Sequence, residues 1–336
     1  MRGAAGKVVL GAAQATPVFM DRAATLDKAC ALVAEAGRAG ARLCAFPEAF
    51  IPGYPLWVWA LPAGELREWA ALHGELVAAA VAVPGPETEA LGRAARAAGV
   101  NVVLGLNEVE TAGSGGTLYN TVVTISAGGE LLGRHRKLVP TAGERLVWAQ
   151  GDGSTLQVHD TDVGKVGALI CWENYMPLAR YALYAWGTEV YVAATWDRGE
   201  PWLSTLRHIA KEGRCFVVGA CSAMRLADVP DRFAFKARLK ANDEGWINVG
   251  DSAVVAPSGE IVAGPSRQKE ELVLAEVDLR DAAGLNWNLD VAGHYARPDV
   301  FELTVRRGAR PLVRESSDPP SQPDLPQTGR RRDVGR

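Results

Sequence analysis

No apolar stretch in this chain approaches the ~18 residues needed to cross a bilayer, which excludes a helical membrane span. Nor does one sign of charge dominate. Lys and Arg number 36 against 39 Asp and Glu, and a net charge of −3 supplies no basic face for nucleic acid or an anionic membrane. Cysteine is sparse, with Cys30, Cys44, Cys171, Cys215 and Cys221 forming an odd set without CxxC spacing. That pattern argues against a disulfide framework or a thiolate zinc site, and for a reducing compartment. The five histidines are scattered without metal-ligand spacing. Internal repeats and Ser/Gly-rich linkers are missing too, so residues 1–310 read as a single domain. Arg2 and Lys7 ahead of VVLGAAQA imitate a signal peptide, but Gln14 interrupts the run and no clean cleavage site follows. The expectation is a cytoplasmic protein that uses no metal or cofactor and binds neither nucleic acid nor membrane.

What the chain does have is enough apolar residue, 48%, for a sizeable core. Strand and helix patterns alternate along it. Lys7–Gln14 reads as a strand and Asp21–Arg38 as a helix, with Leu26, Ala29, Val33 and Ala36 on one face. A short strand over Arg42–Phe46 precedes the loop IPGYPLWVWALP. Helices follow over Glu65–Val81 and Glu87–Ala98, then strands over Val100–Glu110, Thr117–Ser126 and Leu131–Arg136. Further on, strands over Val166–Ile170, Glu189–Ala194 and Cys215–Ser222 are separated by helices over Pro177–Gly187 and Pro201–Gly213. Ser252–Ala256, Glu260–Val262 and Leu272–Asp278 read as antiparallel strands. Such βα units mixed with hairpins fit an α/β fold of sheets packed face to face, with helices outside. Residues 311–336 are Pro-rich, mixed in charge and nearly free of apolar side chains, and read as a disordered or extended tail whose deletion leaves monomer folding intact.

Chemistry concentrates in GALICWENYMPLAR. Here Cys171 ends a buried strand just ahead of a helix start, where main-chain N–H groups favour a thiolate. A buried structural cysteine is the plainer alternative, which the polar Trp172-Glu173-Asn174 makes less attractive. Glu48, in CAFPEAFIPGYP, follows an apolar strand in a Pro and aromatic setting that raises a carboxyl pKa and suits a general base. Taken alone it reads more readily as an exposed loop glutamate. Lys137 closes RHRK, as a fixed cation for a developing anion or as part of a basic surface. Glu144, in PTAGER, has a surface pair with Arg145 as its plain reading. Trp172 would wall a pocket or pack in the core. Tyr54, Trp57 and Trp59 would line a pocket, a core or a subunit contact.

Together, FPEAFIPGYP, HRKLVPT and CWENYMP, in that order and with these separations, resemble the nitrilase family of carbon–nitrogen hydrolases. The resemblance runs from Val8 to about Arg307, through ERLVWAQGDG, RHIAKEGRCFV and VAGHYARPDVFEL, and CWE resembles the nitrilase branch. It implies a four-layer α-β-β-α sandwich, with Glu48 as general base, Lys137 as cationic stabiliser, Cys171 as nucleophile and Glu144 beside them. It also implies a small-molecule nitrile as substrate and a homodimer or larger spiral homo-oligomer. Core and assembly roles fall to RHIAKEGR and GHYARPD. The chain departs from the family in VAATWD, where a proline commonly stands at Ala194, and bulky Trp196 follows as a candidate substrate contact. An amidase using the same thiol machinery and a non-catalytic assembly protein are the competing readings. A papain-like enzyme fits less well, since CGSCW is absent and no histidine has a matching context.

Overall fold

The computed structural model describes residues 6–113 and 115–309; the tail from Pro311 lies outside them. In chain order, β1 (Lys7–Gln14), α1 (Arg22–Arg38), β2 (Ala41–Ala45), α2 (Leu66–Ala79), α3 (Pro86–Ala98), β3 (Asn101–Val109), β4 (Leu118–Ile125) and β5 (Leu131–Arg136) form the first half. The second half comprises β6 (Val158–Thr161), β7 (Gly164–Ile170), α4 (Pro177–Ala185), β8 (Val190–Thr195), α5 (Glu200–Gly213), β9 (Phe216–Cys221) and β10 (Ala223–Arg225). It ends with β11 (Trp246–Val255), β12 (Ile261–Arg267), β13 (Glu271–Asp278) and α6 (Asp281–Leu285).

Two mixed sheets result. One has the order β13-β1-β2-β3-β4-β5; the other runs β10-β11-β9-β8-β7-β6, with β12 also paired to β11. The apolar faces explain the layering. Leu10, Leu43, Val103 and Val122 of the first sheet meet Val166, Ile170, Val192, Val218 and Val254 of the second in a dry inter-sheet core. The opposite face of the first sheet takes Ala29, Val33 and Ala36 of α1 and Leu91 and Ala95 of α3. That of the second takes Leu183 of α4 with Trp202, Leu206 and Ile209 of α5. Strands buried on both faces explain the near-continuous apolar runs. This is the expected four-layer sandwich.

Two departures stand out. β13 does not extend the β11–β12 hairpin; it crosses to the first sheet and pairs antiparallel with β1, Lys7 opposite Asp278 and Gln14 opposite Glu271. Its alternating burial suits such an edge position. GHYARPD is not core: Gly293, His294, Tyr295, Arg297, Pro298 and Asp299 are all exposed. RHIAKEGR divides by face within α5, with Ile209 and Ala210 buried, His208 at the surface and Glu212 paired with Arg180.

Candidate active site

One end of the sandwich gathers side chains from both sheets. Glu48 lies in the loop after β2, and the close approach of that loop to β3 depends on Gly105. A Cβ there would lie 2.2 Å from the Pro47 carbonyl oxygen and 2.8 Å from the Glu48 Cα. Lys137 directly follows β5, and its main-chain N–H donates to the Asn120 carbonyl on β4 at 2.8 Å. Cys171 stands at the end of β7, in a single 3₁₀ turn over Cys171–Tyr175 that leads to Pro177 at the start of α4.

The backbone pays at these points. Cys171 has φ +52°, Ala49 next to Glu48 has +49°, and Ala142, two residues before Glu144, has +46°. A left-handed conformation in a non-glycine residue costs on the order of 1–3 kcal/mol and persists only where surrounding contacts enforce it. At Cys171 the enforcement is visible. Asn174 Nδ2 donates to the Cys171 carbonyl (2.8 Å), while Tyr191 donates to Asn174 Oδ1 (2.7 Å) and Arg180 to the Asn174 carbonyl (2.8 Å).

Lys137 Nζ sits between two carboxylates, 2.9 Å from Glu48 Oε1 and 2.7 Å from Glu144 Oε2, all three side chains being buried. Glu48 Oε1 also accepts from Asn120 Nδ2 (2.6 Å), and Oε2 accepts from the Trp196 main-chain N–H (3.0 Å). Glu48 and Thr195 are close enough to the buried Cys171 thiol to bear on its protonation. Glu144 accepts from the Tyr54 hydroxyl (2.8 Å) and the Thr141 N–H (2.7 Å). The surface pair of Glu144 with Arg145 does not form; Arg145 Nε donates to the Pro140 carbonyl instead.

Burial dominates the electrostatics. It pushes the Glu48 pKa up, with Lys137 pulling it down and Glu144 adding to the rise. Lys137 is held firmly protonated, because the charges of Glu48 and Glu144 outweigh its desolvation. Burial, reinforced by the Glu48 charge, pushes the Cys171 thiol far above its ordinary value despite Lys137. Burial thus favours a resting thiol over the thiolate that the local N–H groups suggested. A thiol beside a carboxylate of raised pKa is a pair suited to proton transfer at the moment of attack.

Of the residues singled out from sequence, Glu48, Lys137, Cys171, Glu144, Tyr54 and Trp196 come together. Tyr54 stacks on Trp196 with ring centroids 4.9 Å apart and planes within 10°. Trp59 donates its indole N–H to the Tyr54 hydroxyl (3.1 Å), whereas Trp57 belongs to the core. Trp172 turns away from the buried cluster. Its ring is 52% exposed, packs edge-on against Tyr175 and donates to Asp197 at 2.8 Å. Its main-chain N–H remains in the opening turn, where helical N–H groups have no intrahelical acceptor. Ala194 lies buried in the inter-sheet core opposite Ile170.

Three contributors escaped sequence reasoning. Asn120 carries no motif signal, yet it bonds Glu48 and leaves its own Oδ1 buried without a partner. The Trp196 N–H is main chain and invisible in residue types. The third is Glu173, buried two residues after Cys171. Its Oε1 accepts from the Leu138 N–H (2.7 Å) and its Oε2 from the Ile170 N–H (3.0 Å), and both oxygens lie 3.0 Å from His135 Nε2. It ties the strand end carrying Lys137 to the turn carrying Cys171. The alternation of His135 and Lys137 in RHRK, matched by Cys171 and Glu173 in CWE, was the available clue. Among the described residues no group of three or more His, Cys, Asp or Glu could hold a metal ion.

The fold is shared with solved structures of known proteins. The structure of Saccharomyces cerevisiae Nit3, a member of branch 10 of the nitrilase superfamily, superposes with a TM-score of 0.67 at 19% identity, covering 86% of this chain and 97% of Nit3. Residues 9–286 match the carbon-nitrogen hydrolase family model, and the chain belongs to that family. It is 44% identical over 305 residues to nitrilase 1 of Arabidopsis thaliana, spanning 89% of this chain and 87% of the relative. It is 43% identical over 298 residues to an aliphatic nitrilase of Sinorhizobium fredii, spanning 87% and 93%.

Proposed function

We propose that this chain hydrolyses an organic nitrile to the carboxylic acid and ammonia through a covalent intermediate on Cys171. The observation that carries the reading is the Lys137 ammonium seated between Glu48 and Glu144, with the buried Cys171 thiol close to Glu48. The identity to curated nitrilases supports the nitrile as substrate.

The chemistry follows from those positions. A nitrile carbon is a weak electrophile and needs a soft nucleophile. As sulfur attacks, Glu48 takes the thiol proton and passes it to the nitrile nitrogen, giving a neutral thioimidate and leaving Glu48 ionised. Glu48 then takes a proton from water, which adds to the thioimidate carbon. The tetrahedral species expels ammonia and leaves a thioester, and a second water releases the acid and restores the thiol. Lys137 and the Trp172 N–H are the donors placed to stabilise developing negative charge, worth typically ~2.7–4 kcal/mol per donor. Glu144 is the positioning residue, holding Lys137 from the side opposite Glu48, with Tyr54 and Thr141 fixing it in turn.

Ammonia release from a panel of nitriles and matching amides, with the Cys171→Ala variant alongside, tests this reading. Cys171-dependent ammonia from nitriles is expected; activity confined to amides moves the assignment to an amidase, and silence on both to a non-catalytic assembly protein.

The same reading carries a homodimer or longer spiral homo-oligomer in the cytoplasm. Exposed Leu178, Trp287 and Phe301 support the first as unburied apolar surface, and five free cysteines support the second. Among the described residues no helix is long and apolar enough to cross a membrane. Sedimentation of the purified chain tests the assembly.

A further inference from the structure

A cavity of about 390 Å³ opens beside the site, within the ~300–1,000 Å³ range of small-molecule pockets. A larger cavity, about 540 Å³, lies among Arg22, Glu75 and Arg232 and is lined by none of the site residues. The smaller one shares a wall with the cluster. Trp59 and Trp196 both line it, and both touch Tyr54, whose hydroxyl holds Glu144. Trp196 also gives its N–H to Glu48 and directly follows Thr195 at the end of β8.

The composition of this cavity is lopsided. Beyond the two indoles and apolar residues such as Ile247, its lining contains Arg198, Arg238 and Lys240 and no carboxylate. Arg238 is already paired with Glu65 at 2.7 Å. Arg198 and Lys240 have no salt-bridge partner among the described residues. The nearest acid along the chain to Arg198, Asp197, is spent on the Trp172 indole and the Arg198 main-chain N–H. An aromatic-walled pocket that shares Trp196 with the Glu48 cluster, with two unneutralised cations in its lining, is complementary to a ligand with an apolar body and a distal negative charge.

We propose that this cavity is the subsite for the non-reacting part of the substrate, and that it selects nitriles whose side chain ends in a carboxylate, held by Arg198 and Lys240. The inference rests on the nitrilase reading above and narrows it to a substrate class. Arg198 and Lys240 act here as specificity residues, and their charges act through partly solvated contacts, so the preference is sensitive to salt.

The test compares para-cyanomethylbenzoate with its neutral analogue para-methylphenylacetonitrile, in the full chain and in the Arg198→Gln/Lys240→Gln double variant. Ammonia release gives kcat/KM, and calorimetry on the Cys171→Ala background gives binding of each nitrile without turnover. The anionic nitrile is expected to lead by about tenfold in kcat/KM at low salt, mainly through KM. That lead should shrink at high salt and collapse toward unity in the double variant. Equal handling of both nitriles, or a lead that survives the double variant, overturns the subsite. Tighter binding of the anion, lost in the double variant but without ammonia from any nitrile, overturns the nitrilase reading and leaves the anion subsite standing. Ammonia from the neutral nitrile with indifferent binding of the anion does the reverse.

Discussion

Replacing Glu173 by alanine isolates the tie between the two halves of the site. The carboxylate is buried and accepts from two main-chain N–H groups and from His135. Its removal strands those N–H groups at ~1–3 kcal/mol each and breaks a buried pair, a change typically costing ~3–5 kcal/mol in all because the two overlap. For a chain of this size, roughly 2 °C of melting temperature accompanies each kcal/mol, so Glu173→Ala should melt roughly 6–10 °C below the parent at neutral pH. The sign of the pH dependence is fixed as well. His135 and the two N–H groups hold the Glu173 carboxyl below its ordinary value against its desolvation. A depressed pKa contributes stability that is present above the unfolded value, ~4.3, and is lost as pH falls through the lower folded value. The gap in melting temperature between parent and variant should therefore narrow below about pH 4.3. Because Leu138 adjoins Lys137 and Ile170 adjoins Cys171, kcat should fall more than KM rises at temperatures where the variant is folded. Glu173→Gln should recover part of the stability, since one oxygen still accepts. Thermal melts across pH, paired with nitrile kinetics, decide the matter. A shift below about 2 °C, or one that grows on acidification, would refute the reasoning.

Other consequences are open to direct measurement. Alkylation of Cys171 by iodoacetamide, followed by mass spectrometry, should keep accelerating up to about pH 10, because the thiol is pushed up by burial; a plateau near neutrality would mean a resting thiolate. The acid limb of kcat/KM should lie above the ordinary carboxylate value of ~4.3, since Glu48 is raised and acts as a base only when ionised; a limb at or below that value would contradict the assignment. Gly105→Ala should drive the Glu48 loop away from β3, destabilising the chain by ~1–3 kcal/mol and lowering kcat by on the order of a hundredfold, whereas near-normal turnover would show that the loop has room to give.

The order of strands and helices was legible because buried strands and amphipathic helices write their periods into the chain, as Lys7–Gln14 and Leu131–Arg136 show residue for residue. Glu48, Lys137, Cys171 and Glu144 were legible because each stands in a motif. What escaped was everything set by tertiary approach. A pattern of alternating burial says that β13 is half-exposed but not which sheet it joins. Edge strands β6 and β10, four and three residues long, are too short to register a period. Residue types do not disclose that a main-chain N–H at Trp196 will face Glu48, nor that Asn120 will. The protonation of Cys171 depends on how completely the turn is buried, which the local cue of nearby N–H groups does not report. Trp172 reads as a pocket wall or a core residue from its place beside the cysteine, and neither reading discloses that its indole N–H will donate to Asp197.

The proposed catalytic groups are divided between the two sheets. Glu48 and Lys137 ride on the first and Cys171 on the second, joined across the gap by the Trp196–Glu48 and His135–Glu173 contacts. Turnover in such a molecule works as a ruler laid across the inter-sheet core. A cavity-making substitution at Val192 or Val218, far from any reacting atom, would let the sheets slide by a fraction of an ångström and reset the sulfur-to-carboxylate distance. Loss of activity could then precede loss of secondary structure on heating.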